Sequence, residues 1–152
     1  MRKMIFAHAV VIAGMGVGMH NVYASDGKDP VRNKHTVVEF YNAVINQKDF
    51  AAASRFLGSH YTQHNPAVAD GPEGLKHVIQ FLRDKYPLAH SEIKHVFADG
   101  DYVILHVFSL REPGTRGRAI IDIFKLDNGK IVEHWDVVQD IPAKSVNSNG
   151  MF

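Results

Sequence analysis

The sequence predicts an α+β fold in which three helices are followed by four antiparallel strands. The first half of the chain has apolar residues at helical spacing, whereas the second half has β-branched and aromatic runs separated by glycine-containing turns. Because the helices come first and the strands follow one another directly, this order favours helices layered on an antiparallel sheet over alternating βαβ units.

The first two helices are predicted between residues 34 and 57. From residue 34 onward, apolar residues recur at the spacing that makes one stripe along a helix. Asp49 is the predicted N-cap of a second, short helix over residues 50–57, which Gly58 should end. The apolar stripe of the first helix consists of Val37, Val38, Tyr41, Val44 and Ile45.

The third helix is predicted between the turn at residues 70–74 and Pro87, which cannot continue a helix. Within this segment Leu75, Val78, Ile79 and Leu82 repeat at helical spacing. Between the second and third helices, residues 60–66 form a polar and aromatic cluster that ends at Pro66. Strict alternation would place positions 61, 63 and 65 on one side of this cluster and positions 60, 62 and 64 on the other.

The strands are predicted as two hairpins. Residues 93–97 and 102–110 flank a turn that contains Gly100, and residues 119–124 and 131–138 flank the second turn. The second turn has the sequence Asp127, Asn128, Gly129, and these residues readily adopt the positive φ that a short hairpin turn requires. The last two strands therefore form one continuous hairpin.

This last hairpin carries the candidate chemistry. Because side chains alternate along a strand, Asp122 shares a face with Ile120 and Phe124. On the other arm His134 and Asp136 share a face with Val138. Two carboxylates and a histidine are therefore expected to face one space. Asp122 stands out because it lies between two isoleucines, where an unpaired ionised carboxylate is costly.

Composition divides the chain into four parts. Residues 1–24 begin with Arg2 and Lys3, continue with an apolar run and end in Ala24, which predicts a signal peptide that is cleaved after Ala24. A polar lead-in covers residues 25–33, one domain covers residues 34–142, and a Ser/Asn/Gly-rich loose tail covers residues 143–152. The expected location is the periplasm or the outside of the cell, with no membrane attachment after cleavage.

Charge and cysteine content exclude several classes of function. The formal net charge of the whole chain is +1, and the predicted signal contributes two of its basic residues and no acidic ones. This balance gives no electrostatic basis for binding nucleic acid. The chain has no cysteine, which excludes disulfides and thiol nucleophiles.

The hairpin IIDIFKLDNGKIVEHWDVVQD at residues 120–140, preceded by YTQHNP at residues 61–66, resembles the SnoaL-like polyketide cyclases of the nuclear transport factor 2-like superfamily. The resemblance extends from about residue 34 to residue 141. It implies a curved antiparallel sheet wrapped like a cone around three helices, with a hydrophobic pocket at the open end. It also implies a homodimer that forms through the outer face of the sheet.

The resemblance further implies that Asp122 and His106, on neighbouring strands, line the pocket with the aspartate as acid/base. An aldol ring closure needs a base beside a carbonyl, polarisation of the carbonyl and proton return to the alkoxide. A carboxylate in an apolar pocket has a raised pKa and can both take and give the proton. His64, His106 and Asn65 are expected to polarise carbonyl oxygens, and Asp136 to orient His64 or pair with Asp122.

The residues expected to contact a small hydrophobic ligand are Tyr41, Asn65, Phe108, Phe124 and His134. Two alternatives stay open at this point. First, Asp122 and His106 are each compatible with a structural, hydrogen-bonded role in the core. Second, the whole domain is compatible with a noncatalytic role, in which its pocket binds a small molecule or a partner. Neither a cofactor nor a metal is expected, because His64, His106, His134 and Asp122 lack any established metal-binding spacing.

Overall fold

In a computed structural model, which describes residues 29–152, helices cover one face of a curved five-stranded sheet. This architecture confirms the predicted α+β fold, with five strands in place of four. The predicted signal peptide and most of the lead-in lie outside the described residues. Among the helices that are described, none has the length and apolar character needed to cross a membrane.

The elements follow in the order α1 (Pro30–Tyr41), a π-helical turn (Asn42–Asn46), α2 (Phe50–Ser54), β1 (Leu57–Gln63), α3 (Gly71–Lys85), β2 (His90–Asp99), β3 (Tyr102–Leu110), β4 (Arg118–Asp127) and β5 (Lys130–Asp140). In the sheet the strand order is β1-β5-β4-β3-β2. Neighbouring strands are antiparallel except β1, which runs parallel to β5 at the edge.

The helix boundaries are set by local caps. α1 begins at Pro30, earlier than predicted, because the Asp29 side chain accepts hydrogen bonds from the backbone N–H groups of Val31 and Arg32. Asp49 is the N-cap of α2, as predicted, and accepts from the backbone N–H of Ala52 at 3.0 Å. α2 is shorter than predicted and ends at Ser54.

The strand β1 is the element that the sequence pattern missed. Gly58 lies inside this strand rather than at the end of a helix. β1 is an edge strand on which Tyr61 is the one buried residue, so it lacks the apolar alternation that identifies strands in a sequence. Its pairing with β5 places Gln63 beside His134 in the register.

Both predicted hairpins are confirmed. Asp99 pairs with Tyr102 across a turn in which Gly100 has φ +55°. In the second turn Asn128 and Gly129 have φ values of 51° and 76°, which is the backbone twist that suits a two-residue hairpin turn.

The core lies between the helices and the inner face of the sheet. Val103, Leu105 and Val107 of β3 point inward and are fully buried. From the helical layer, the ring of Phe40 packs edge-on against that of Phe124, with centroids 5.8 Å apart. The apolar stripes of α1 and α3 therefore cover the same face on which Asp122 lies.

The C-terminal tail has no helix or strand, and its last residue contacts the outer face of the sheet. The ring of Phe152 stacks on His106 at 5.1 Å and meets Phe108 edge-on at 5.6 Å.

We predict that Leu105→Ala lowers the free energy of unfolding by about 2–5 kcal/mol, because the substitution leaves a cavity in the fully buried centre of the sheet. Leu88→Ala removes the same atoms from a side chain that is 69% exposed and should change stability by less than about 0.5 kcal/mol. Urea unfolding of both variants checks this, and equal losses would contradict the placement of the core.

Candidate active site

A cavity of about 510 Å³ lies between the inner face of the sheet and the helices. Its wall is mainly apolar, with contributions from α1, α3 and all of the strands except β2. Its polar residues fall into two groups, of which one, at the ends of β3 and β4, consists of Ser109, Arg111 and Arg118. The other cluster lies on β1, β4, β5 and the segment after β1 and consists of Tyr61, Gln63, Asn65, Asp122, His134 and Asp136.

Asp122 is the most deeply placed acidic residue of this cluster, with 5% of its surface exposed. It is an inward-facing residue of β4, paired across the ladder with Leu105 on β3 and Asp136 on β5. Its Oδ1 lies 3.1 Å from Nε2 of His134. Its Oδ2 is buried and has no hydrogen-bond partner among the described residues. One oxygen is thus held by His134, and the other is buried without a hydrogen bond from the described part of the chain.

The proton on His134 can be placed from its neighbours. Gln63 Oε1 accepts from the backbone N–H of Asn65 at 2.8 Å, which identifies that atom as the amide oxygen. Because this oxygen can only accept, Nδ1 of His134, 2.9 Å away, must donate to it. The other ring nitrogen, Nε2, then faces Asp122 across a single shared proton. The pair is either imidazolium and carboxylate or imidazole and carboxylic acid.

Burial raises the pKa of the Asp122 carboxyl above its usual value, because removal from water disfavours the charged form. The hydrogen bond and the charge of His134 oppose this change, the nearby Asp136 carboxylate reinforces it, and the neighbouring Tyr41 hydroxyl opposes it more weakly. A raised pKa brings a carboxyl closer to the range in which it both accepts and returns a proton.

Asp136 does not orient His64, as the sequence had suggested, but is itself held by Asn65. The side-chain N–H groups of Asn65 donate to both carboxylate oxygens of Asp136, each at 2.8 Å. Asn65 also anchors the following loop, since its Oδ1 accepts from the backbone N–H of Ala67. The predicted meeting of Asp122, His134 and Asp136 in one space is confirmed, because all three line the cavity.

Two tyrosines supply neutral hydroxyl groups to this region. Burial, followed by the negative charge of Asp122, raises the pKa of both Tyr41 and Tyr61 above the usual value. Both phenols therefore stay protonated and can donate hydrogen bonds. The Tyr61 hydroxyl accepts from Gln63 Nε2 at 3.2 Å, which leaves its own proton for another acceptor.

His106 is not in the cavity, and its predicted place beside Asp122 is wrong. In the register of β3 and β4, Leu105 is the partner of Asp122, whereas His106 is the partner of Ile121 and lies on the outer face. There its Nδ1 is 3.3 Å from Nδ1 of His95. Phe108 has the same parity and is likewise outside the cavity.

His64 also lies outside the cavity, stacked on Trp135 with ring centroids 4.6 Å apart. The other predicted ligand-contacting residues, namely Tyr41, Asn65, Phe124 and His134, do line it. The alternation in residues 60–66 held, since Tyr61, Gln63 and Asn65 face inward. That parity was the one signal that could have identified Gln63 and Tyr61 as members of the site.

The metal ligand set considered from the sequence is not assembled, because His64 and His106 face away from Asp122. A different group, namely Asp122, His134 and Asp136, has ligand atoms that lie within 4.8 Å of one another. In the described structure both nitrogens of His134 are engaged, one with Gln63 and one with Asp122. A cation there would have to displace the bond between His134 and Asp122.

A family model that describes the SnoaL-like domain matches residues 37–134. This span covers the cavity from α1 to His134 on β5. No curated protein matches the sequence.

Several solved structures share the fold. TsrD from Streptomyces laurentii is 24% identical, with a TM-score of 0.60 over 72% of this chain and 90% of that one. A proposed polyketide cyclase from Bacillus cereus is 24% identical, with a TM-score of 0.61 over 70% and 74%. A proposed ketosteroid isomerase from Kribbella flavida is 11% identical, with a TM-score of 0.64 over 79% and 87%. At these identities the likeness establishes the fold alone.

We predict that the stability of the protein falls as the pH rises through the raised pKa of Asp122. Below the usual carboxyl pKa both the folded and the unfolded chain hold this proton. Above the usual carboxyl pKa the unfolded chain has released the proton while the folded chain still holds it. The free energy of unfolding therefore falls as the pH rises toward the raised pKa. Asp122→Asn is neutral at every pH and should therefore be more stable than the parent at pH 8 by about 1 kcal/mol, with a smaller difference at pH 4.

Urea unfolding at the two pH values measures this difference. Asp84→Asn, an exposed change in the last turns of α3, is the matched control and should show no such dependence. A difference between Asp122→Asn and the parent that is the same at pH 4 and pH 8 would contradict the raised pKa.

Proposed function

Because the chain belongs to the SnoaL-like domain family, we propose that it is a cofactor-independent enzyme that moves a proton next to the carbonyl of a small hydrophobic compound. Aldol-type ring closure and isomerisation are the two reactions of this kind that the site suits. The observation that carries the proposal is Asp122 itself, a residue that lines an apolar cavity, with one carboxylate oxygen held by His134 and the other buried without a hydrogen bond from any described residue.

In the proposed reaction, Oδ2 of Asp122 takes a proton from the carbon beside the substrate carbonyl. The C–H electron pair forms a carbon–carbon double bond, and the carbonyl π electrons move to its oxygen. A hydroxyl donor such as Tyr61 stabilises the resulting enolate oxygen, since burial keeps this phenol protonated. In isomerisation Asp122 returns the proton to another carbon, and in ring closure the proton goes to the alkoxide that forms when the enolate attacks a second carbonyl.

His134 holds Asp122 in position and adjusts its basicity. In the ionised state of Asp122, the imidazolium donates to Oδ1 while Gln63 fixes the opposite side of the ring. When Asp122 has taken the proton, the bond between His134 and Asp122 still has a donor and an acceptor. The pair therefore remains hydrogen-bonded in both states, and the change of state needs no movement of the strands.

The apolar wall has two effects on the reaction. It selects a ligand with little charge in its body, since polar groups buried there would lack partners. It also excludes water, so that charge–dipole interactions at the enolate oxygen are stronger than in bulk solvent. Phe40, Phe124 and Leu75 are among the side chains that provide this surface.

Asp122→Asn tests the proposal because it keeps the shape and removes the base. We expect turnover to fall by about 100- to 10,000-fold, the usual contribution of a general base, while the affinity for the ligand stays within a few-fold. The probes are a β,γ-unsaturated ketosteroid and a linear aromatic β-polyketone, followed by ultraviolet absorbance before and after dialysis against EDTA. His64→Gln, on the opposite face, is the matched control and should keep full turnover.

Two outcomes contradict the proposal. Binding of the probes by the parent protein without turnover of either would favour the noncatalytic pocket domain. Loss of turnover on EDTA treatment, with recovery on adding Mg²⁺ or Zn²⁺, would instead assign the group of Asp122, His134 and Asp136 to a metal.

We also propose that two copies associate through the outer face of the sheet, in keeping with the family resemblance. Ile121 and Val137 are register partners on that face and are 38% and 70% exposed. Trp135 and Ile123 form the next pair on the same face. A hydrophobic surface on adjacent strands is typical of interfaces between protein chains. Export is likewise a proposal, based on residues 1–24 of the sequence.

Val137→Glu tests the dimer, because a charge buried at an apolar interface costs several kcal/mol. We expect the parent to sediment as a dimer at micromolar concentration and the variant as a monomer. Val31→Glu places the same charge on an exposed position of α1 and should leave the dimer intact. A parent protein that sediments as a monomer would contradict the proposal.

A further inference from the structure

Two arginines at the rim of the cavity take no part in the proposed reaction. Their positive charge is opposite to that of the carboxylates in the interior. Arg118 and Ser109 are register partners at the ends of β4 and β3, and both line the cavity. Arg111 follows β3, two residues beyond Ser109, and lines the cavity as well. Three hydrogen-bond donors thus lie together at the end of the sheet, away from Asp122 and Asp136.

These residues lie where the cavity opens. Phe81 on α3 and Val138 on β5 also line the cavity, and both are exposed, whereas Asp122 and Phe124 further along β4 are buried. The arginines are half-buried. A ligand that enters past Phe81 and Val138 with its apolar end first would therefore keep its other end beside the arginines.

The two arginines are available to a ligand. The guanidinium of Arg111 lies 5.1 Å above the ring of Tyr86, and none of the described carboxylates is within 4.0 Å of it. Arg118 pairs through Nε with Asp140 at 3.0 Å, but the Asp140 side chain is 83% exposed. An ion pair that is so exposed to water contributes little stabilising free energy. A ligand anion can therefore replace Asp140 at small cost.

A second hollow of about 310 Å³ adjoins the first, and Arg111 and Arg118 line both. The second hollow is polar, and its wall includes a third arginine, Arg116, together with the acidic residues Glu112 and Asp140. The two arginines therefore lie between the apolar cavity and the polar second hollow. This arrangement matches a ligand with an apolar body and a charged end.

The spacing along β4 sets the length of such a ligand. Arg118, Ile120 and Asp122 alternate inward along β4, so the first and last Cα atoms are about 14 Å apart at a rise of roughly 3.4 Å per residue. The reacting carbon would lie beside Asp122 and the charged group beside Arg118. Ile120 between them requires the connecting part of the ligand to be apolar.

We infer that the substrate of the proposed reaction is an amphipathic acid, whose carboxylate or other oxyanion is bound at the rim by Arg111 and Arg118. The statement that this acid is a substrate rests on the proposed function. The anion-binding site itself does not, because it can bind an anion whether or not the protein is an enzyme. Guanidinium groups suit this task because their planar N–H groups pair with two oxygens of an oxyanion at once. The Ser109 hydroxyl supplies a further donor.

A pair of fluorescent probes tests the subsite without any knowledge of the substrate. 8-Anilinonaphthalene-1-sulfonate is an oxyanion, and N-phenyl-1-naphthylamine has the same apolar skeleton without the charge. Arg118→Gln and Arg111→Gln should each weaken binding of the sulfonate by about tenfold, the effect of losing one partly exposed charge-assisted hydrogen bond. Affinity for the neutral probe should stay within twofold.

Asp140→Asn should strengthen rather than weaken binding of the sulfonate. A gain in affinity cannot be explained by misfolding. The substitution removes the carboxylate that competes for Arg118, so the sulfonate should bind a few-fold more tightly than to the parent. Arg55→Gln at the C-cap of α2 removes an equal charge beside Lys130, at the end of the β4–β5 hairpin opposite Arg118, and is the matched control. It should leave both affinities unchanged.

Equal affinity of the parent and the two rim variants for the sulfonate would overturn the subsite. An equal loss of affinity in Arg55→Gln would overturn it too, because the effect would then be one of overall charge. These measurements are independent of Asp122→Asn. A failure of the subsite would leave the proposed proton transfer intact, and the absence of turnover would leave the subsite in place with the substrate statement withdrawn.

Discussion

The hydrogen bond between His134 and Asp122 is the interaction on which the site depends. It joins two neighbouring strands through side chains, and its other end is fixed by Gln63 on a third strand. Since Gln63 is held in turn by the backbone of Asn65, the orientation of the imidazole follows from the fold. The register of the strands, rather than the conformation of one flexible side chain, therefore determines how Nε2 and Oδ1 share a proton.

This arrangement explains why a carboxyl group is tolerated between two isoleucines. One oxygen of Asp122 is satisfied by His134, but the other is buried without a partner. Burial of such an atom opposes folding, and the raised pKa of Asp122 expresses the same cost. A structural role alone would favour a group with both oxygens paired. An unpaired carboxylate oxygen on a residue that lines an apolar cavity is suited to accept a proton from a ligand.

Charge is distributed along the cavity in a way that gives the ligand a direction. The carboxylates and His134 lie deep, and the arginines lie at the rim, with Ile120 between them on β4. A compound with a carbonyl at one end and an oxyanion at the other would be oriented before any chemistry takes place. Orientation of this kind contributes to rate by holding the reacting carbon next to the base.

Much of the fold, and about half of the site, could be predicted from the sequence. Within one strand the alternation of side chains is a local property of the backbone, so the sequence by itself determined that Asp122 shares a face with Phe124 and that His134 shares one with Asp136. The turn residues Asn128 and Gly129 then brought these faces together.

Only the tertiary structure decided how separate strands are placed against one another, because pairing between distant segments depends on long-range contacts that local patterns do not contain. It placed His106 on the outer face, since Leu105 rather than His106 is opposite Asp122. It also made residues 57–63 an edge strand beside β5. That pairing brought Gln63 to His134, and so completed a site whose residues are 71 positions apart in the chain.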